Sequence, residues 1–405
     1  MARRDIIAGL DIGTSAVRCA ICEVDHRGNW NIIGLGSCRS EGIKKGAVVD
    51  IESTVGCILQ AVETAQRMAG VTIDSVYVGV PNTHASLMVT RGIVAVSSED
   101  KEITEEDVER VLQAARVINL PPNRQIIDII PRQYIIDGYE GIRSPTGMAG
   151  IRLEVEALLV TGAITSIQNL VRCVERAGLE VESLVLNAMA MGELLLSHDE
   201  KELGAVLADL GGGTCEIAYF SNGVLQSIGA IPLGGDHITS DIAFGLRTSL
   251  GVAEKAKIEH GTLLRVPEDR TFTIPDVGGE KTRDVSVRQL STIIEARVHE
   301  MLSFIAEELP KLDVPEAIPA GGVLAGGVAA TEGLVPYLQS MLDCCVRLAQ
   351  DGMGGEDTSY ATAVGLVMHA LKRPANSDAG RTVRRERKSG SLFARVVDWL
   401  RDMWE

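Results

Sequence analysis

The chain has 405 residues, 45% of them apolar and only 3% aromatic, which suits a globular α/β protein of two or three domains with cores of Val, Ile, Leu and Ala. A formal charge of −16 excludes a general nucleic-acid binder. The charge is uneven, however: from Lys372 onward nine basic residues face five acidic ones, a net of +4 that leaves −20 on the body, and such a basic end points to a specialised tail.

The opening residues, MARRDIIAGLDIG, carry a basic start, but Asp11 cuts the apolar run too early for a secretory signal. No stretch approaches the ~18 apolar residues of a bilayer span. The eight cysteines show no disulfide framework, so the body is expected in the cytosol with reduced thiols. Cys19 and Cys22 form a CxxC but fall within one predicted strand, where odd spacing sends them to opposite faces. The seven His lack HExxH spacing, so a metal site built from protein ligands alone is not expected.

In chain order, 6–21 reads IIAGLDIGTSAVRCAI: an apolar strand ending near Asp11, a turn with Gly and Thr, and a second apolar strand. Strands are predicted at 31–38 and 76–80, with an amphipathic helix over 51–68 between them. Residues 83–160 interrupt this half with their own α/β pattern. There Thr104 and Asp107 resemble a capping box, opening a helix with Val108, Val111, Leu112 and Ala115 on one face. Strand-like runs follow at 125–130, 133–136 and 152–160. The run 206–219, VLADLGGGTCEIAY, then repeats the opening hairpin, with Asp209 placed as Asp11 is; self-similarity at half the chain length implies two related α/β halves. A strand is predicted at 224–231, a helix at 238–246, a long helix at 287–309 that Pro310 ends, and a strand closing at Val323 and Leu324 before Gly326 and Gly327. Residues 374–390 are polar, Arg-rich and without periodicity, as in a disordered linker.

Tight hairpin turns with Gly and Thr let backbone N–H groups approach phosphates, while Asp11 and Asp209 would hold Mg²⁺ through its waters. No GxxxxGK[ST] is present, and no convincing GxGxxG, which removes a P-loop and weakens a dinucleotide fold.

The paired GLDIGTS and ADLGGGT hairpins resemble the two phosphate motifs of actin, sugar-kinase and heat-shock-chaperone ATPases, and VLAGGVAATEGL (323–334) resembles their adenosine motif. NIIGLGSCRSEGIKKGAVVDIEST, SVYVGVPNTH, IPLGGDHITSDIA and SYATAVGLV are similar to the bacterial cell-division actin homologues of the FtsA family, over essentially the whole chain. The resemblance implies an actin-like, duplicated ribonuclease H-like fold with two halves around a nucleotide cleft. The halves would be 1–82 with 161–197, and 198–235 with 310–371. Residues 83–160 would be an inserted subdomain for self-association and division partners, and 236–309 a second insertion binding the C-terminal tail of FtsZ; 372–390 would be the linker and 391–405 a membrane-targeting helix.

The resemblance also assigns roles. Gly13, Thr14, Ser15, Gly212, Gly213 and Thr214 would cradle the phosphates of ATP beside Arg18. Gly234 and Gly235 would open a helix whose N-terminus favours anions. Glu254 and Lys257 would contact ribose and adenine, or form only an exposed helix pair, and Gly326 and Gly327 would close over the adenosine. Asn187 is a weak candidate for positioning the attacking water and equally a helix N-cap; no general base is assigned, and hydrolysis is expected to be slow at most. Arg297 would clamp a carboxylate of FtsZ, or be a solvated helix arginine. The segment from Cys344 to Ser359 is shorter than the family pattern.

At about 100° per residue, Leu392, Phe393, Val396, Val397, Trp399, Leu400, Met403 and Trp404 fall on one arc, as in a helix lying on a membrane surface of anionic lipid. Together with the resemblance, this implies a place on the cytoplasmic side of the cell membrane at the division site, as a self-associating peripheral protein. A sugar kinase needs no such tail, a chaperone ATPase needs a substrate-binding domain after the ATPase, and the terminal helix weighs against an actin-like pilus-assembly adaptor.

Overall fold

The computed structural model describes residues 5–25, 29–267, 270–275, 282–341, 345–350 and 358–372. Its first strands, β1 (Asp5–Ile12), β2 (Ala16–Val24) and β3 (Trp30–Arg39), form an antiparallel meander. A small hairpin follows, β4 (Ile43–Lys44) and β5 (Ala47–Val48), then α1 (Ile51–Ala69) and β6 (Ser75–Val80), which joins β1 in parallel. Local chemistry sets the ends of α1. The Asp50 side chain accepts from Ser53 N, and Gly70 closes the helix at φ +69°, a left-handed position that favours glycine. Cys19 and Cys22 both lie buried in β2, unpaired.

The chain then leaves this sheet through Pro81 and a 3-10 turn (Asn82–His84). It builds a four-stranded antiparallel sheet from β7 (Ala85–Ala95), β8 (Arg124–Ile136), β9 (Tyr139–Ile142) and β10 (Arg152–Ala163), in the order β7-β10-β8-β9, with α2 (Glu105–Ala115) against one face. The capping box is formed: Thr104 Oγ1 accepts from Asp107 N and Asp107 accepts from Thr104 N. Val111 and Ala115 are buried, with Val108 and Leu112 packed beside them. The runs expected at 125–130 and 133–136 are one strand instead. Gln133 pairs with Glu156 and Pro131 with Ala157, so Arg132 is an extra residue in a β-bulge, where the missing N–H of Pro131 costs no ladder bond.

After β10 come α3 (Ile164–Arg176), β11 (Glu180–Leu186) and α4 (Asn187–Leu195), completing a sheet of order β11-β6-β1-β2-β3. The second half opens with α5 (His198–Leu203), followed by β12 (Ala205–Leu210), β13 (Cys215–Ser221) and β14 (Val224–Ile231). Next are α6 (Gly235–Gly245), α7 (Leu250–His260), the hairpin β15 (Thr271–Pro275) with β16 (Thr282–Ser286), and α8 (Val287–Glu308). Then come β17 (Gly322–Ala325), α9 (Leu334–Met341), β18 (Val346–Leu348) and α10 (Ala361–Lys372). The sheet order β14-β13-β12-β17-β18 repeats that of the first half: a three-stranded meander flanked by two parallel strands. The duplication seen in the hairpins therefore extends to whole sheets.

The long helix expected to end at Pro310 does so: α8 stops at Glu308, and Pro310 sits in the first positions of a 3-10 turn (Leu309–Leu312), where no helical N–H is needed. Two expectations change. The helix expected at 238–246 starts at Gly235. The helix α10, placed by sequence in the second half, packs on the first: Ala363 and Val364 meet Ala20, and Leu366 meets Val185 and Ala190. Gly9 and Gly365 permit this, since a Cβ on either would overlap the carbonyl oxygen of Ala363 or Ala190. Half of the shortened segment 344–359 (344 and 351–357), and all of 374–390 and 391–405, lie outside the described residues.

Candidate functional site: a cleft between two hairpins

The two hairpin turns meet. A Cβ on Gly212 would overlap Ser15 Oγ and one on Gly213 would press on Thr14, so the second turn reaches the first because it carries no side chains. Beneath them opens a cavity of about 660 Å³, within the usual range for small-molecule sites. Of the residues singled out from sequence, Asp11, Gly13, Thr14, Ser15, Arg18, Asp209, Gly212, Gly213, Thr214, Gly235, Glu254, Lys257, Gly326, Gly327 and Asn187 all line it. Gly234 lies just behind.

Strand register places the charges. Asp11 pairs across β1–β2 with Arg18, and Asp209 pairs across β12–β13 with Glu216, the equivalent position of the second hairpin. Sequence reasoning missed Glu216; the shared spacing of seven residues after each Asp is the signal that finds it. Arg18 stands 4.0 Å from the Asp11 carboxylate, with its guanidinium 6.0 Å from the Tyr360 ring centre. Burial pushes Asp11 up to about 6 against the pull of Arg18. Burial and the charge of Asp11 push Asp209 up to about 6. Glu216 is pushed up to about 8 by burial and by Asp209, although the backbone N–H groups of Asn82 and Thr83 donate to it. Three crowded carboxyl groups with one nearby guanidinium form a site short of positive charge. Among the described residues no group of His, Cys, Asp and Glu forms a metal site by itself.

The helix α6 contributes differently from expectation. The N–H groups of Gly235 and Asp236 donate to Gly211 O at 2.9 Å and Gly212 O at 2.8 Å, and Gly234 N donates to His237 Nδ1. These donors clamp the second hairpin in place and are not free to bind an anion, so only the helix dipole acts on the cavity. Glu254 and Lys257 are not an exposed pair. Lys257 Nζ donates to Glu254 Oε2 at 2.7 Å, Thr239 Oγ1 at 2.8 Å and Gly235 O at 3.1 Å, pinning α7 to α6. All three ammonium donors of Lys257 are thus engaged. Gly326 adopts φ +86° and sits so close to Asp209 that a Cβ would overlap its Oδ1, whereas a Cβ at Gly327 would meet nothing within 4 Å.

Asn187 is the first residue of α4; the N-cap is Leu186, with no side-chain cap bond, so the capping role does not apply. Its Oδ1 is buried at the cavity without a hydrogen-bond partner among the described residues. Arg297, on α8, is not a solvated arginine either: its Nε and Nη2 donate to Asp241 at 2.5 and 3.0 Å, and Nη1 pairs with Glu300. The apolar arc expected of Leu392, Phe393, Val396, Val397, Trp399, Leu400, Met403 and Trp404 falls on residues outside those described. No helix among the described residues is long and apolar enough to cross a membrane.

The duplicated sheets and intervening cleft are the actin-like ATPase fold. Solved structures with this architecture include a PilM-PilN type IV pilus biogenesis complex (TM-score 0.61, 17% identity, 91% of this chain and 99% of that one) and MreB5 of Spiroplasma citri bound to ADP (TM-score 0.55, 13% identity, 91% and 99%). Family models match residues 82–161 as the SHS2 domain inserted in FtsA and residues 206–365 as cell division protein FtsA. The cell division protein FtsA of Bacillus subtilis is 43% identical over 92% of this chain and 85% of its own length. That of Pseudomonas aeruginosa is 37% identical over 98% and 97%, and that of Escherichia coli K12 is 36% identical over 98% of both. With relatives this similar along nearly its whole length, the chain belongs to the FtsA family of actin-like cell-division proteins.

Proposed function

We propose that the cleft binds ATP with Mg²⁺ and that the protein acts as a nucleotide-dependent adaptor. It would polymerise on the inner face of the cytoplasmic membrane at the division site, hold FtsZ there and help recruit later division proteins. The observation that carries the nucleotide reading is the meeting of two equivalent hairpins, each with an enclosed carboxyl group, at one 660 Å³ cavity. The chemistry fits as well as the space. A hydrated divalent cation answers the shortage of positive charge around Asp11, Asp209 and Glu216 and offsets phosphate charge when bound. Gly13–Ser15 and Gly212–Thr214 would hold the phosphates beside Arg18, Glu254 the ribose, and Gly326 and Gly327 the adenosine side. Asn187 Oδ1, which has no partner among the described residues, would accept from a water molecule near the phosphates.

Family membership supports the division role. The α6–α8 insertion would take the FtsZ tail; because Asp241 already grips Arg297, a tail carboxylate must share that guanidinium or displace the aspartate. Residues 391–405 would bind anionic lipid. Calorimetry tests the central claim. The wild type should bind ATP in the presence of Mg²⁺, and Asp11→Ala or Asp209→Ala should weaken that binding about tenfold or more, the loss of one charge-mediated contact. Unchanged affinity in both variants would place the nucleotide elsewhere.

A further inference from the structure

The short turn between β6 and β7 is tied to both sides of the cleft at neighbouring residues. On one side, His84 Nε2 donates to Gly46 O at 2.9 Å, and Gly46 N donates to Thr14 Oγ1 at 2.9 Å, which reaches the first hairpin. On the other side, Asn82 N donates to Glu216 Oε1 at 3.0 Å, and Asn82 Nδ2 donates to Ile217 O at 3.1 Å, fixing the turn to β13 of the second hairpin. Asn82 and His84 are two residues apart, and β7 starts at the next residue, Ala85. The inserted sheet touches the second half again farther out. Arg132 of β8 pairs with Gln226 of β14, and Arg143 pairs with Glu202, one bond being 2.7 Å.

We infer that the Pro81–His84 turn is a coupling element, which carries the nucleotide occupancy of the cleft to the inserted four-stranded sheet. This rests on the nucleotide reading above. A relative shift of the two hairpins around a ligand moves Thr14 and Glu216 with respect to each other. The turn is too short to absorb that shift, being bonded to each hairpin within three residues. The displacement is therefore delivered to β7, an edge strand whose outer amides have no partner strand among the described residues. Coupling of this kind acts both ways, so a partner seated on the inserted sheet alters nucleotide affinity by the same factor.

Hydrogen exchange on the full chain, with calorimetry in parallel, tests this. In the wild type, ATP with Mg²⁺ should slow exchange in Ala85–Ala95 about fivefold or more, the low end of typical coupling between sites. His84→Ala leaves every cavity-lining residue in place; it should still bind ATP but lose the added protection of β7. His84→Gln, whose amide can donate to Gly46 O, should retain it. Asn82→Ala removes the Nδ2 bond to Ile217 O but keeps the backbone bond to Glu216, so it should reduce the protection only in part, and the half-buried His84 pair decides. Wild-type protein that binds ATP with no change in β7 overturns the coupling, as does His84→Ala transmitting protection like the wild type. Failure of the wild type to bind ATP at all overturns the nucleotide reading and the coupling with it.

Discussion

Seven residues after each hairpin aspartate the two halves diverge: Arg18 in the first, Glu216 in the second, each paired with its aspartate across the ladder. The duplication thus supplies one cation and one extra carboxyl group to the same cavity. Glu216, pushed up to about 8 by burial and by Asp209, keeps its proton in the folded chain over a range where the unfolded chain, with an ordinary carboxyl near 4.5, has lost it. Its contribution to stability is accordingly complete below about pH 4.5 and is lost as pH rises through about 8. Without added nucleotide, the melting temperature of the wild type should fall between pH 6 and pH 9 relative to Glu216→Gln. That variant cannot ionise, and its side-chain oxygen can still accept from Asn82 N. Parallel pH profiles for the two proteins would show that Glu216 ionises freely. Asp11 and Asp209 shift in the same direction, so the comparison isolates Glu216 only because they are common to both proteins.

Among the elements, α2 depends most visibly on a single side chain. Burial alone would raise the Asp107 carboxyl, yet hydrogen bonds from Thr104, Arg110 and Ser97 hold it well below the usual range, and its side chain is fully buried. Removing it leaves the cap donors without their acceptor and takes from Arg110 its carboxylate partner, leaving it Ala95 O. Asp107→Ala should cost on the order of 3 kcal/mol, whereas Thr104→Ala, which loses one capping bond, should cost about 1 kcal/mol. Urea unfolding followed by helix signal checks both, and wild-type midpoints in the two variants would remove the capping box as a source of stability. The motif was legible in sequence because Thr104 and Asp107 are three residues apart and their chemistry is local. The continuity of β8 was not legible, because the bulge at Arg132 that accommodates Pro131 exists only in pairing with β10, more than twenty residues later.

At the scale of the whole molecule, the two halves are held together by segments that cross between them. The helix α10 follows the second half in sequence, packs on the first sheet and ends at Lys372, just before the Arg-rich residues 374–390. A tail starting there would leave from the first half, with the α6–α8 insertion on the second half open to a partner. Cosedimentation with anionic liposomes separates the two activities. The wild type should sediment and bring FtsZ with it, and deletion of 391–405 should leave both in the supernatant. Arg297→Glu should keep the protein on the vesicles while reducing the FtsZ it carries. Vesicle binding that survives the deletion would sink the tether, and full FtsZ recovery with Arg297→Glu would remove that residue from the interface.

The sequence by itself determined the features whose causes lie within a few residues. These are the two Asp-Gly-Thr hairpins, the caps of α1 and α2, the alternation of strands and helices, and therefore the duplicated α/β plan with most residues of the cleft. Tertiary structure decided which groups those residues meet. Arg297 found Asp241, 56 positions away, and Lys257 spent its donors on Gly235, Thr239 and Glu254. The first N–H groups of α6 closed onto the second hairpin, and Asn82 reached Glu216 across 134 positions. Side-chain type and local backbone preference fix what a group can bond to, but only the packing of distant elements brings a particular partner within hydrogen-bond reach.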